Sequence, residues 1–136
     1  MGIWQGRSQR KRTGGRLRPN RNKRRFEIAR ELQFPILGEQ SLKLYRVRGA
    51  GRKVRILAAD RINVYDPTTK STKAVTATTV VRNDANPNYV QRNILSKGAV
   101  VETELGTVKI RSRPGQDGVL NGILLPKAAA GKTPNA

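Results

Sequence analysis

The chain has 136 residues, a length that fits one domain with a tail at each end. It carries 28 Lys and Arg residues against nine Asp and Glu residues, so its formal net charge is +19. Self-repulsion at that charge destabilises a compact monomer unless a polyanion neutralises it, whether RNA, DNA, an anionic membrane or an acidic protein. Cysteine and histidine do not occur. Disulfides, thiolate or imidazole metal ligands, cysteine nucleophiles and Ser–His catalysis are therefore excluded.

A membrane is the weakest of these candidates. No run of sequence approaches the ~20 apolar residues of a spanning helix. The basic N-terminus is not followed by the apolar stretch of a secretory signal, and it lacks the apolar stripe of an interfacial helix. We therefore expect a soluble, intracellular protein without membrane contact.

Basic residues are concentrated in the first thirty positions, which hold eleven Arg and Lys residues and one acid, Glu27. Apolar residues are sparse before Phe26, so this segment cannot bury enough surface to offset its ordering entropy. We predict a long, irregular, basic extension over residues 1–35 that is disordered alone and orders on a polyanion.

The composition of this extension favours RNA. Across residues 1–25 Arg outnumbers Lys eight to two, and the planar guanidinium both pairs with phosphate and stacks on bases. A solvated tail or a localisation signal is the alternative interpretation. The candidate RNA-binding residues here are Trp4, Arg7, Arg10, Lys11, Arg12, Arg16, Arg18, Arg21, Lys23, Arg24 and Arg25.

Aromatic and glycine residues in the extension have two interpretations each. Trp4 either stacks on an unpaired base or anchors the extension to protein, whereas we favour packing for Phe26. Gly14 and Gly15 allow a tight turn or a close approach to phosphate, and as a plain hinge they require no RNA.

Seven short runs rich in apolar or alternating residues begin near residue 42, and they favour a domain of about six strands. These runs are residues 42–48, 53–58, 61–65, 74–82, 99–104, 107–112 and 119–125. A helix is predicted over residues 86–97, because Asn86 can cap it, Pro87 suits its first position and Gly98 can end it. The predicted fold is mainly β: a small six-stranded barrel- or sandwich-like domain over residues 36–125, with one short helix and a flexible tail over 126–136.

Two further basic clusters lie on this predicted domain. The first surrounds a predicted hairpin loop and supplies the candidate RNA-binding residues Arg46, Arg48, Arg52, Lys53 and Arg55. We expect Arg46 and Arg48 to form one compact patch with Lys53 and Arg55, although an ordinary solvated hairpin is the alternative. The second alternates Lys109, Arg111 and Arg113 with buried Val108 and Ile110.

Catalysis has little support in the sequence. Glu102 and Glu104 point to one face of a predicted strand, but paired catalytic carboxylates need a cleft and separated environments. We expect both to be solvated or paired with basic residues. The sequence predicts no catalytic residue, no metal site, no cofactor and no small-molecule substrate.

Several stretches of the chain resemble one family. The opening Ile3–Ser8, followed by Thr13–Arg16, is similar to the start of the archaeal and eukaryotic-type small-subunit ribosomal protein family S-eight-e. Agreement continues at Arg52–Arg55, at Asn93–Ile94 through Lys97–Gly98, and at Ser112–Gly118. The resemblance covers most of residues 3–125, and the short, uninterrupted central region is similar to the archaeal members.

The resemblance implies a small β-barrel-like domain with a basic N-terminal extension bound to small-subunit ribosomal RNA. Neighbouring small-subunit ribosomal proteins are the other implied partners, and no catalysis is implied. A ribosome-assembly factor or RNA chaperone that leaves the particle is an alternative, since the family includes an assembly factor as a more distant relative. A DNA-compacting protein is a third interpretation of the charge.

Overall fold

The computed structural model describes residues 3–29 and 31–126, and the chain divides into two compact units. We call Met1–Leu32 the extension unit and Gln33–Ala136 the barrel unit. All sixteen candidate RNA-binding residues lie within the described ranges. The predicted flexible tail lies almost entirely outside them, from residue 127 onward.

The extension unit is irregular, as predicted, but it is locally folded. Strand β1 (Ile3–Trp4) pairs antiparallel with β2 (Ile28–Ala29), which follows a single 3-10 turn at Arg25–Glu27. Between them, a tight turn forms where the Gly14 amide donates to the Lys11 carbonyl at 3.0 Å. Gly14 has a φ of +84°, a conformation that favours glycine. The two glycines predicted to allow a turn therefore include one that makes it.

The barrel unit opens with a three-stranded sheet. Its strands are β3 (Ile36–Leu37), β4 (Ser41–Arg46) and β5 (Arg52–Ala59). β5 lies in the middle, parallel to β3 and antiparallel to β4. A 3-10 turn at Arg48–Ala50 connects β4 to β5, and Gly49 within it has a φ of +73°.

Five further strands close a barrel. They are β6 (Arg61–Asp66), β7 (Ser71–Arg82), β8 (Val100–Thr103), β9 (Gly106–Ile110) and β10 (Asn121–Leu124). The order around the barrel is β10-β6-β7-β8-β9, and only the β10–β6 pairing is parallel. The mainly β prediction is confirmed, with the strands shared between this five-stranded barrel and the separate sheet.

Alternating side chains fill the barrel. In β6, Ile62 and Val64 are buried while Arg61, Asn63 and Tyr65 face outward, the pattern expected of a strand with one buried face. Further strands contribute the inward residues Val75, Ala77, Val80, Val101, Val108 and Ile110. Burial of this apolar surface is the main source of stability in the barrel unit.

A bulge interrupts the alternation in β7. The sequence predicts Val75, Ala77, Thr79 and Val81 on one face, but the register with β8 shifts between Ala77 and Thr79. Val80 is therefore buried and Val81 is 52% exposed. An extra residue in one strand of a pair changes the phase of every residue beyond it.

The helices are short, and there are two in the described residues. α1 (Asn88–Gln91) occupies only the first part of the predicted helix over 86–97, and Asn93 beyond it has a left-handed φ of +49°. α2 (Pro114–Asp117) lies between two of the predicted strands, with Pro114 at its start and left-handed Gly118 at its end. Neither helix, nor any other in residues 3–29 and 31–126, has the length and apolar character needed to cross a membrane.

Candidate nucleic-acid interface

Exposed cations dominate the surface of the extension unit. Each of its ten described Arg and Lys residues, from Arg7 to Arg25, is exposed, and no described residue of this unit is buried. Guanidinium and ammonium groups in that state are free to meet phosphate oxygens. Glu27 and Glu31 are the only acids among the residues described here.

One of these arginines already has a carboxylate partner. Arg21 donates from Nη1 to Glu27 Oε2 at 3.0 Å and from Nη2 to Glu27 Oε1. The Arg24 amide also donates to Glu27 Oε2, at 3.0 Å. The bonds from Arg21 and then from the Arg24 amide hold the pKa of Glu27 below its ordinary value, and the same carboxylate raises the pKa of Arg21. We call this contact the Arg21–Glu27 clip.

The two ends of the extension unit meet next to the clip. The backbone carbonyl of Glu27 accepts a hydrogen bond from the Gln5 amide at 2.9 Å, beside the β1–β2 pairing. Arg21 was predicted only as an RNA-binding residue, and the structure gives it a local structural role as well. Nothing in the sequence spacing signals a pairing across six residues, because the intervening chain is not a helix.

Trp4 is held within its own unit. Its indole Nε1 donates to the Arg7 carbonyl at 2.7 Å. A Cβ atom added to Gly6 would lie 2.4 Å from ring atom Cζ2, so the indole ring covers the Gly6 backbone closely. Trp4 is half-buried as a result. Phe26, by contrast, is 73% exposed, and its packing on a protein surface stays a prediction.

The β4–β5 hairpin carries the basic cluster predicted around its loop, divided between two faces. Tyr45 lies opposite Lys53, and Lys43 lies opposite Arg55, which places these four side chains on one face. Lys43 Nζ is 5.6 Å from the centre of the Tyr45 ring and Arg55 Cζ is 5.0 Å from it. Both distances are within the range of cation–π attraction. This face is basic and aromatic.

The opposite face combines charge with exposed apolar groups. Arg46 lies opposite Arg52, next to the pair of Leu44 and Val54, and Leu44 is 62% exposed. The shared face predicted for Arg46 with Arg55 and Lys53 is therefore not formed, because the register of the hairpin sets Arg46 opposite Arg52. Arg48 lies in the connecting turn.

Sequence reasoning missed Lys43 and Tyr45 as members of the basic face. The alternation of LKLYR in β4 could have indicated both, had the register been known. The cluster of Lys109, Arg111 and Arg113 follows its prediction more closely, since Val108 and Ile110 are fully buried and Arg111 is exposed. Lys109, on the outward face of β9, is half-buried.

The two glutamates singled out in the sequence lie at the surface. Glu102 and Glu104 are both exposed. Within residues 3–29 and 31–126, no three carboxylates gather in a way that could hold a metal ion.

Comparison with known proteins identifies the family. The family model for ribosomal protein S8e matches residues 4–125, nearly the whole described chain. The chain belongs to the ribosomal protein S8e family. This membership confirms the resemblance seen in the sequence and makes the chain a structural protein of the cytoplasmic ribosome rather than an enzyme.

Archaeal proteins are among the S8e relatives that match. The chain is 54% identical over 122 residues to the small ribosomal subunit protein eS8 of Methanocella arvoryzae, an alignment covering 90% of this chain and 98% of that protein. It is 50% identical over 125 residues to the eS8 protein of Picrophilus torridus, covering 92% of this chain and 100% of the relative. The eS8 protein of Methanococcus aeolicus is 45% identical over 126 residues, with 92% and 98% covered. These full-length matches confirm the short archaeal-like form.

Proposed function

We propose that this chain is a structural constituent of the small ribosomal subunit that binds and neutralises its ribosomal RNA through the extension unit. The basic clusters of the β4–β5 hairpin, including Arg46, Arg48, Arg52, Lys53 and Arg55, add further contacts. Neighbouring small-subunit ribosomal proteins are the other partners. The relatives named above are small-subunit proteins, which supports the assignment to this particle.

The observation that carries the proposal is the exposure of the extension's cations. Ten exposed Arg and Lys residues lie within residues 7–25, and only Arg21 has a carboxylate partner there. In the absence of a polyanion these charges repel one another. Ribosomal RNA supplies phosphates at a density that relieves this repulsion, with release of the counterions that the phosphates hold.

The salt dependence of RNA binding tests the role of the extension. Each phosphate neutralised contributes about −0.9 to the slope of log K against log salt on B-form duplexes, and about −0.7 on single strands. Eight to ten engaged cations therefore predict a slope of about −6 to −9. The measurement is a titration of the full chain with a small-subunit ribosomal RNA fragment at several salt concentrations. A slope shallower than about −3 would show that the extension does not carry binding.

A second experiment separates a constituent from an assembly factor. Mature small subunits are washed at high salt and sedimented, and the protein is quantified in the pellet. A constituent stays with the mature particle, whereas retention on precursors alone would contradict the proposal. Comparison of duplex DNA with structured ribosomal RNA at one salt concentration tests the DNA alternative, and equal affinity for both would favour it.

A further inference from the structure

A cavity of about 440 Å³ lies within the extension unit. Pockets for small molecules and cofactors have volumes of about 300–1,000 Å³. Three apolar groups line this cavity: the Trp4 indole, the Leu17 side chain and the Pro19 ring. An aromatic and aliphatic wall of this kind is unexpected in a segment whose other side chains are mainly charged.

The aromatic wall is fixed before any ligand arrives. The Trp4 indole donates to the Arg7 carbonyl at 2.7 Å, and one part of the ring lies against Gly6 so closely that no side chain would fit between them. Leu17 is half-buried, and its amide donates to the Gln9 carbonyl at 2.8 Å. A binding surface held in this way loses little conformational entropy when a ligand is bound.

The rim of the cavity is positively charged. Arg7, Arg18 and Lys23 line it and are exposed, and no contact within the described chain engages any of these three side-chain charges. The lining carboxylate, Glu27, accepts hydrogen bonds from Arg21 and from the Arg24 amide. Its negative charge is therefore compensated, and an anion at the rim meets a positive field.

Short amide side chains complete the lining. Asn20 and Asn22 both line the cavity, and both are exposed. An asparagine amide offers donors and an acceptor, as the edge of a nucleobase does. The cavity thus combines a surface for stacking, groups that match a base edge, and cations for phosphate.

We propose that this cavity binds one unpaired nucleotide of RNA. The base packs between Trp4, Leu17 and Pro19, its edge meets Asn20 and Asn22, and the flanking phosphates meet the cations of the rim. Proteins that bind RNA loops and single strands receive splayed bases on aromatic side chains in this manner. The inference rests on the proposed function and assigns the extension a pocket for a base in addition to phosphate contacts.

The test uses the intrinsic fluorescence of the full chain. Trp4 is the only tryptophan in the sequence, so its emission reports on the cavity. The protein is titrated with an eight-nucleotide oligoadenylate, while the anisotropy of a labelled copy measures total binding. Two probes carry charge without bases: an abasic RNA of the same length and a glutamate peptide of similar charge. We expect saturable quenching of Trp4 by oligoadenylate, and no comparable quenching by either base-free probe.

Paired variants show whether the cavity itself is responsible. Trp4→Ala should weaken oligoadenylate binding about 5- to 150-fold, the range for loss of one base–aromatic stack, and Trp4→Phe should restore most of it. Leu17→Ala keeps Trp4 as the reporter. It should lower the affinity for oligoadenylate that is measured from Trp4 quenching. Its matched control is Leu32→Ala, which removes an exposed leucine of the same unit that does not line the cavity. This control should leave the titration unchanged.

Equal quenching by oligoadenylate and a base-free probe would overturn the pocket, since charge alone would then explain the signal. Equal oligoadenylate affinities for Leu17→Ala and Leu32→Ala, measured by Trp4 quenching, would overturn the pocket as well. If RNA binds with steep salt dependence but Trp4 emission does not change, the pocket fails and the proposed function stands. If the chain fails to bind RNA by anisotropy, both fail.

Discussion

The two units of this chain reach order by different physical means. The extension unit has eleven basic and two acidic residues over 32 positions, and none of its described residues is buried. It is held by short backbone pairings, the Trp4 contact and the Arg21–Glu27 clip. The barrel unit contains every buried apolar residue of the described chain. Stability therefore resides mainly in the barrel unit, whereas the densest charge for RNA lies in the extension unit.

This difference implies that binding and stability can be altered separately. A change in the extension should alter RNA affinity with little effect on unfolding of the barrel. A change in the barrel core should do the reverse as long as the protein stays folded. The following predictions test that separation, beginning with the largest expected effect.

Deletion of residues 2–25 should weaken binding to small-subunit ribosomal RNA by about a thousandfold at moderate salt, because most of the exposed phosphate-binding cations are lost. Thermal unfolding followed by circular dichroism should still show a cooperative transition from the barrel. RNA affinity is measured by filter binding or anisotropy.

A charge-conserving variant is the control for this deletion. Replacing the five arginines of residues 7–18 with lysines keeps the net charge and should preserve most of the salt slope. If the deleted protein binds RNA nearly as well as the full chain, the hairpin clusters and not the extension are the main contact.

Truncation of a core residue should have the converse effect. Leu95 is fully buried in the barrel core, and Leu95→Ala should lower the free energy of unfolding by about 2–5 kcal/mol. Denaturant titration measures the change. Leu105→Ala is the matched control, because Leu105 is 46% exposed and should change stability by less than about 0.5 kcal/mol. A loss of RNA affinity in folded Leu95→Ala protein would contradict the separation of the two units.

A substitution that removes a contact to the bulge in β7 should have a smaller and more local effect on the stability of the barrel unit. Asn93 Oδ1 accepts hydrogen bonds from the Val80 amide at 3.3 Å and from Thr79 Oγ1 at 3.5 Å. Asn93→Ala removes this acceptor from a partly buried site and should cost about 1–3 kcal/mol of stability. Asn93→Asp retains an acceptor and should cost less. Equal losses in the two variants would show that the hydrogen bonds do not support the bulge.

The same bulge shows where sequence reasoning ends. The alternation in residues 61–65 predicts β6 and its buried face, because one side of that strand meets the core along its whole length. The alternation in residues 74–82 fails after Ala77, because Asn93, from a loop beyond α1, bonds to the bulged segment. A contact between distant residues has no signature in local periodicity.

At the candidate RNA-binding surface, too, the sequence predicts some features and not others. Charge density predicts which residues of the extension are exposed, since no apolar surface is available to bury them. It does not predict that Arg21 pairs with Glu27, or that Trp4, Leu17 and Pro19 line a common cavity. Composition also locates the hairpin cluster, but the faces of Arg46 and Arg55 depend on a register that composition leaves open. Residue type thus predicts charge and exposure, and tertiary contacts decide which groups meet.

The smallest expected effect concerns the Arg21–Glu27 clip and its dependence on pH. The ionised carboxylate of Glu27 is the form that accepts the bonds from Arg21 and the Arg24 amide, so the folded extension unit lowers the pKa of this group. Ordering by the clip should therefore be fully present above the ordinary glutamate pKa of about 4.3 and should be lost as the pH falls through the lower folded value. Trp4 emission reports the change, because Trp4 pairs with Ile28 next to Glu27.

Two glutamine variants show whether the pH transition comes from the Glu27 carboxylate. Glu27→Gln cannot form the ion pair, so its Trp4 emission at neutral pH should already resemble that of the wild-type protein at low pH, and the transition should be absent. Glu31→Gln removes an acid of the same unit but leaves the carboxylate that Arg21 contacts, and it should keep the transition. A wild-type transition at or above the ordinary glutamate pKa would contradict the clip. Loss of the clip should change RNA affinity only slightly, since freeing Arg21 adds one phosphate contact while the extension becomes less ordered.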